Sequence, residues 1–350
     1  MRTVGELKIA IYGAGAMGTV LGALLVKGGL ENVHLITRNQ AHADGLNEKG
    51  ATVVCVADDT EMNVPVTALT PENMRDKYDI VFLMTKQRQN KEILQFLLPY
   101  LTDEGVICTT QNGLPEKSLA EIVGENRVYG GVASFGATMY GGGRVALTSK
   151  ITAASMQIAG YATDEKTPLL LEVLSYAAKA TGNETFAKKA DNLSGARWSK
   201  LAVNAAFSSL STLTGLTFGE VAKRSKTRKI ALGMLRECIA VAKASGVNLA
   251  KMQGHDLEKM LGGKTLVKRF IAYLVLPFAM KKHKKLLSGM LKDIQNGKKC
   301  EIDFVCGVVC RGGAKVGVET PLCTQVVEMI HGIENGLYEI DYKNVDFFQL

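Results

Sequence analysis

Apolar and polar residues follow two different rhythms along this chain. In the first half, short apolar runs at 8–12, 33–36, 79–84 and 105–110 have the composition of buried strands, and the stretches between them have helical character. Residues 19–26 carry small and apolar side chains suited to packing a helix on a sheet. That alternation predicts a parallel sheet of strand–helix–strand units. Strand-like runs at 127–133 and 151–159, with Gly141-Gly142-Gly143 as a turn between them, would extend it. Beyond about residue 180 strand signals almost vanish, and helical periodicity takes over at 193–213, 226–245, 284–296 and 302–316.

Gly13-Ala14-Gly15-Ala16-Met17-Gly18 sits between the first strand-like run and the first helical one, the context a dinucleotide fingerprint needs. The first glycine permits the tight turn, the second lets backbone approach a pyrophosphate, and the third lets helix and strand pack closely, with helix N–H groups facing the phosphates. After the second strand-like run comes Thr37-Arg38-Asn39, where NAD-binding chains place an acid for the ribose hydroxyls. A guanidinium pairs with a 2′-phosphate that a carboxylate would repel, so Arg38 predicts NADP(H); the competing reading is a solvated surface arginine. Lys86 and Asn112 each follow a predicted strand, at the carboxyl ends where open α/β sheets bind ligands. The fold expected is α/β: an N-terminal Rossmann-type doubly wound sheet at 1–185, followed by an all-α C-terminal domain at 186–350.

The chain has 350 residues, enough for two domains with substantial cores, and its 47% hydrophobic and 22% charged composition is that of an ordinary globular protein. The first residues run straight into a strand, with no secretory signal, and seven cysteines without C-x-x-C spacing argue against a disulfide framework and a zinc site. A cytoplasmic protein with no metal is expected. The formal charge of +8 is local: residues 264–299 hold ten Lys/Arg against one acid, Asp293. Within that segment the apolar stretch from Phe270 to Met280 is too short to span a bilayer and contains Pro277. It reads either as a buried helix with solvated lysine ends or as a basic segment, 264–285, drawn to an anionic surface. No nucleic-acid-binding motif accompanies it, so no nucleic acid partner is expected.

In the helical half Lys200, Asn204 and Ser208 are spaced i, i+4, i+8 and share one helix face among apolar Leu201, Val203 and Phe207. They form either a solvent stripe or a ligand-facing one. Glu301 follows a break at Gly297 and precedes Ile302-Asp303-Phe304-Val305, which puts its carboxylate near a helix N-terminus, where capping is the alternative to a binding role.

Taken together, the chain resembles the ketopantoate reductase (2-dehydropantoate 2-reductase) family over nearly its whole length. The resemblance rests on the glycine motif, Thr85-Lys86, Gln111-Asn112-Gly113-Leu114, Trp198-Ser199-Lys200-Leu201-Ala202-Val203-Asn204, Met290-Leu291-Lys292-Asp293 and Glu301-Ile302-Asp303-Phe304, in that order. It implies NADPH-dependent reduction of a 2-oxo acid, most simply ketopantoate to pantoate in pantothenate biosynthesis, by a cytosolic enzyme that could be a homodimer. The lysine matched by Lys200 is the general acid, Glu301 matches the acid that holds a substrate hydroxyl, Asn204 matches a substrate contact, and Lys86 and Asn112 match residues near the cofactor. Three departures stand out. Ser288-Gly289-Met290 replaces Ser-Ser-Met, Cys306 stands at an asparagine position, and Ser208 replaces a second asparagine. Ser288 would take the missing serine's place at the substrate only if the helix kinked at Gly289. These departures leave open a related reductase acting on another 2-oxo acid or an imine. A non-catalytic NADP(H)-binding regulatory protein is the reading from a different class, and it would need neither Lys200 nor Glu301.

Overall fold

A computed structural model describes residues 3–349 other than Gln253 and Lys264. The chain divides into two compact units, Met1–Gln111 with Pro115–Leu193, and Asn112–Leu114 with Ser194–Leu350.

The first unit holds strands β1 (Ile9–Tyr12), β2 (Val33–Ile36), β3 (Ala51–Cys55), β4 (Thr60–Val64), β5 (Thr67–Leu69), β6 (Tyr78–Leu83), β7 (Leu101–Thr109), β8 (Val128–Ala133), β9 (Ala137–Gly141), β10 (Arg144–Leu147), β11 (Met156–Gly160) and β12 (Ala187–Lys189). Eight of them form one sheet in the order β12-β11-β8-β7-β6-β1-β2-β5. The pairs from β5 to β8 are parallel; β11 lies antiparallel on β8, and β12 runs parallel to β11. All four residues of β1 are buried, as both-face coverage requires. Chain order reverses at β1, which pairs with β2 on one side and β6 on the other, and a sheet of this kind binds ligands beyond the strand ends at that point. Across it lies the Ala16–Lys27 helix, burying Val20, Leu21, Leu24 and Leu25. Gly22 permits the approach, because a Cβ there would sit 2.7 Å from the Leu35 side chain.

Two features depart from the sequence reading. The unit division falls at Leu193 rather than 185, because the short strand β12 adds to the sheet edge. A second, four-stranded sheet, β4-β3-β10-β9, has no counterpart in the pattern analysis. Its strands are short, β4 is largely exposed, and the β9–β10 turn was read only as a break within the main sheet.

The second unit is helical among its described residues apart from one isolated bridge, Met252 with His255. Trp198, Phe207, Leu210, Leu235, Ile302 and Ile330 lie in its core. Residues 193–214 form one rod, α-helical at Leu193–Val203 and Ser209–Thr214, with a π-helical turn at Asn204–Ser208 between them. The run predicted helical at 284–296 is a helix only at Gly289–Gln295. In the Leu266–Ala279 helix, Pro277 has no N–H for the carbonyl of Tyr273, and Arg228 donates to that carbonyl instead, at 3.4 Å. Among the described residues no helix is long and apolar enough to cross a membrane.

Candidate active site

The fingerprint loop leaves β1 at its carboxyl end. The N–H groups of Gly13 and Ala14 both donate to the Ile36 carbonyl, at 3.0 and 2.8 Å, which ties the loop to the end of β2. Gly13 has φ +96°, and a Cβ on it would stand 2.6 Å from the Thr85 nitrogen. A Cβ on Gly18 would meet the Gly13 carbonyl oxygen at the same distance, so the third glycine is what lets helix and loop close. Gly15 is different: a Cβ there would meet only the Gly13 oxygen, at 3.9 Å, leaving room on that side. Gly15 is the N-cap of the Ala16–Lys27 helix, which has no side-chain cap bond and no acid in its first turn. Ala14, Ala16 and Met17 complete this turn. A helix N-terminus with space beside its capping glycine and no acid in its first turn is suited to a phosphate.

Arg38 stands exposed beyond β2 and donates to the Gln89 side chain at 2.8 Å. Its charge also acts on the Tyr12 phenol at the end of β1, opposing the rise in pKa that burial imposes. Lys86 is exposed beyond β6, capping a 3-10 turn at Gln87–Gln89. Loop, Arg38 and Lys86 thus share the carboxyl edge of the adjacent strands β2, β1 and β6. The sequence reading missed what fixes the next strand end. Gln111 and Asn90 are buried and exchange side-chain hydrogen bonds at 2.7 and 3.1 Å, while Gln111 also accepts from Thr109 and donates to Thr85. The exposed Asn112 follows directly. Two amides meeting in sequence-distant segments leave no periodic signal, so only the Gln111-Asn112 pair was visible beforehand.

In the second unit, every residue from 195 to 214 is buried except Lys200, Val203, Asn204 and Ser208. These four are half-buried and form the least covered stripe of the rod beyond Ser194. On an α-helix four residues overshoot a full turn by about 40°, so Lys200, Asn204 and Ser208 would drift round the axis. The wider π turn at Asn204–Ser208 falls short of a full turn over the same count and brings Ser208 back toward the line of Lys200. Beneath it sits Cys306, fully buried, with Sγ 3.2 Å from Ser209 Oγ and 3.5 Å from the Ala205 carbonyl. Burial lowers the Lys200 pKa to about 8, and the charge of Arg197, itself only 2% exposed, adds to the effect. Arg197 was not picked out from the sequence, although its i−3 spacing from Lys200 was there to read.

Glu301 is the half-buried N-cap residue of the Ile302–Val316 helix, yet its carboxylate makes no capping bond to that helix. Its position is set from behind. Glu334 accepts the N–H of Cys300 at 2.7 Å, and His331 bridges Glu334 and Asp303 at 3.0 Å on each side. Burial disfavours charge on His331, but the two carboxylates outweigh it and raise its pKa. Ser288 departs from the substrate-facing role weighed for it. It is 1% exposed, accepts from Met290 N as the N-cap of Gly289–Gln295 and accepts from the Thr212 hydroxyl at 2.9 Å. No kink turns it outward, because Gly289 opens the helix as its first residue. Among the described residues no group of His, Cys, Asp and Glu is placed to hold a metal ion.

Residues 9–158 match the family model for ketopantoate reductase PanE/ApbA, and 192–334 match that family's C-terminal model. The 2-dehydropantoate 2-reductase of Lactococcus lactis subsp. lactis is 25% identical over 332 residues, 94% of this chain and 98% of its own length. That of Pyrococcus abyssi is 28% identical over 332 residues, with the same coverage of 94% and 98%. Among solved structures, a D-mandelate dehydrogenase determined with NADH and anilino(oxo)acetate aligns with a TM-score of 0.78 at 25% identity, covering 95% of this chain and 99% of its own.

Proposed function

The chain belongs to the ketopantoate reductase PanE/ApbA family of oxidoreductases, and from that premise we propose that it reduces a 2-oxo acid to the 2-hydroxy acid with NADPH, ketopantoate being the first candidate substrate. The observation that carries this reading is the half-buried stripe of Lys200, Asn204 and Ser208 on an otherwise buried stretch, headed by a lysine with its pKa lowered to about 8.

When bound, the nicotinamide supplies a hydride to the carbonyl carbon. Negative charge then grows on the carbonyl oxygen, and the Lys200 ammonium stabilises it and transfers a proton from Nζ, so that C=O becomes CH–OH and the lysine is left neutral. A lysine near pKa 8 is charged at neutral pH yet gives up its proton far more readily than an ordinary one. Asn204 and Ser208 continue the stripe and supply an amide and a hydroxyl for the substrate's polar groups. Glu301, half-buried at the start of the Ile302–Val316 helix, accepts a substrate hydroxyl. The turn Gly13 to Gly18 takes the pyrophosphate, Arg38 pairs with the 2′-phosphate, Lys86 contacts the cofactor at the sheet edge, and Asn112 is a further cofactor contact.

A second reading, a different 2-oxo acid, is favoured by one observation. Ser288 caps its own helix and is 1% exposed, and Gly289 brings no side chain, so that helix start presents no accessible hydroxyl to a carboxylate. NADPH oxidation followed against a panel of 2-oxo acids, with wild-type protein and Lys200→Ala, tests both readings. Turnover of ketopantoate above all others supports the first, preference for another acid the second, and no Lys200-dependent turnover of any acid overturns both.

A further inference from the structure

The Leu266–Ala279 helix presents its apolar residues outward. Leu266, Phe270, Leu274 and Phe278 follow at four-residue steps with Val267 and Ile271 beside them, so they share one face. Leu266, Phe270 and Phe278 are 82%, 62% and 77% exposed, while only Ala272 and Leu276 are buried. The buried-helix reading of this stretch is thereby corrected. Its narrow inner side is pinned instead: the Arg228 guanidinium lies 4.4 Å over the Tyr273 ring, and the Tyr273 hydroxyl donates to Ser225 at 3.0 Å. Lys264, where the basic segment begins, lies outside the described residues.

Charge decides what covers such a face. No acid occurs between residues 264 and 285, and Lys268 and Arg269 near one end of the helix, with Lys281, Lys282, Lys284 and Lys285 beyond the other, are all exposed. Two copies joined across this face would bring cationic ends together whether the helices ran parallel or antiparallel, and lysine is depleted at protein interfaces. An anionic lipid surface suits both halves of the pattern. Apolar side chains enter the boundary between headgroups and acyl chains, and the ammonium groups reach the phosphates around them. The helix has fourteen residues, about 21 Å, and so lies along such a surface rather than crossing its ~30 Å core. We propose that the Leu266–Ala279 helix and its flanking lysines are a docking surface for anionic membrane.

The test is co-sedimentation of the full-length protein with vesicles of phosphatidylcholine and phosphatidylserine in equal parts, and with phosphatidylcholine alone, at low and raised salt. Binding should require the anionic lipid and weaken with salt. Replacing Lys281 and Lys282 by Glu should cost at least about fivefold in affinity per charge removed. Phe270→Ser with Phe278→Ser should weaken it about tenfold or more, since each ring loses a large apolar contact. The lysine variants change only exposed side chains, so they keep the test decisive if the phenylalanine pair misfolds. Absence of binding to anionic vesicles at low salt overturns the proposal. So does a wild-type dimer that ignores vesicles and dissociates in the phenylalanine variant, because a second copy then covers the face.

Discussion

Lys200 carries two opposing demands that pH can separate. In its proposed role as proton donor it must be an ammonium, so kcat for reduction should fall as pH rises through about 8. Stability should move the other way. A cationic group whose pKa drops from 10.5 to about 8 on folding makes the unfolded chain bind more protons between those values, so unfolding free energy rises with pH across that window. Lys200→Met should therefore lower kcat by about 10²–10⁴ while melting at a higher temperature than wild type at neutral pH. A Lys200→Met protein with near-normal turnover would remove the residue from the mechanism. Arg38→Glu should weaken NADPH binding by about 1–3 kcal/mol and spare NADH, as titration of each cofactor would show; unchanged NADPH affinity would sink the 2′-phosphate assignment. At Gly289 a Cβ meets nothing within 4 Å, so Gly289→Ser is sterically free. If ketopantoate is the substrate, the new hydroxyl should improve kcat/KM by about 0.5–1.5 kcal/mol. An unchanged kcat/KM would leave that position outside the substrate contacts.

At the scale of elements, helix ends do much of the positioning. Ser288 caps one helix and accepts from Thr212 on the 193–214 rod, so Ser288→Ala should destabilise the protein by about 1 kcal/mol without a selective rise in KM. A KM effect at full stability would return Ser288 to the substrate. The pair of helices Ile302–Val316 and Pro321–Glu334 is joined through His331, whose pKa is raised by Glu334 and Asp303. A raised histidine pKa contributes stability that is complete below 6.5 and is lost as pH climbs through the higher folded value. Wild type should thus exceed His331→Ala in melting temperature in acidic buffer, with the gap closing in alkaline buffer. A gap independent of pH would assign His331 a packing role only.

Across the whole molecule, legibility in the sequence tracked how local the determining physics is. The glycine loop, β1 and its helix were readable because a tight turn, a buried strand and close packing each demand particular residues within a few positions. Lys200, Asn204 and Ser208 were readable as a face from spacing alone. The π turn that realigns them was not, since the side chain packed beneath it, Cys306 against Ala205 and Ser209, comes from about a hundred residues further along the chain. The burial of Ser288 was hidden for the same reason, the Thr212 that packs on it lying on another helix. The small sheet escaped because β3 and β10 pair in parallel across a long separation. The outward face of Leu266–Ala279 was one of two readings left open, because an apolar run does not by itself say whether another part of the chain covers it.

Strand β12 has a consequence in time as well as in space. It pairs with β11 at the far edge of the main sheet, and its residues, Ala187–Lys189, come at the end of the first unit. A ribosome adding about 5–20 residues per second needs roughly nine to thirty-five seconds to go from the glycine loop to β12, and until then the nascent sheet ends on an unpaired β11 edge. The sheet that supports the glycine loop is completed only when the chain is already beginning the rod that carries Lys200.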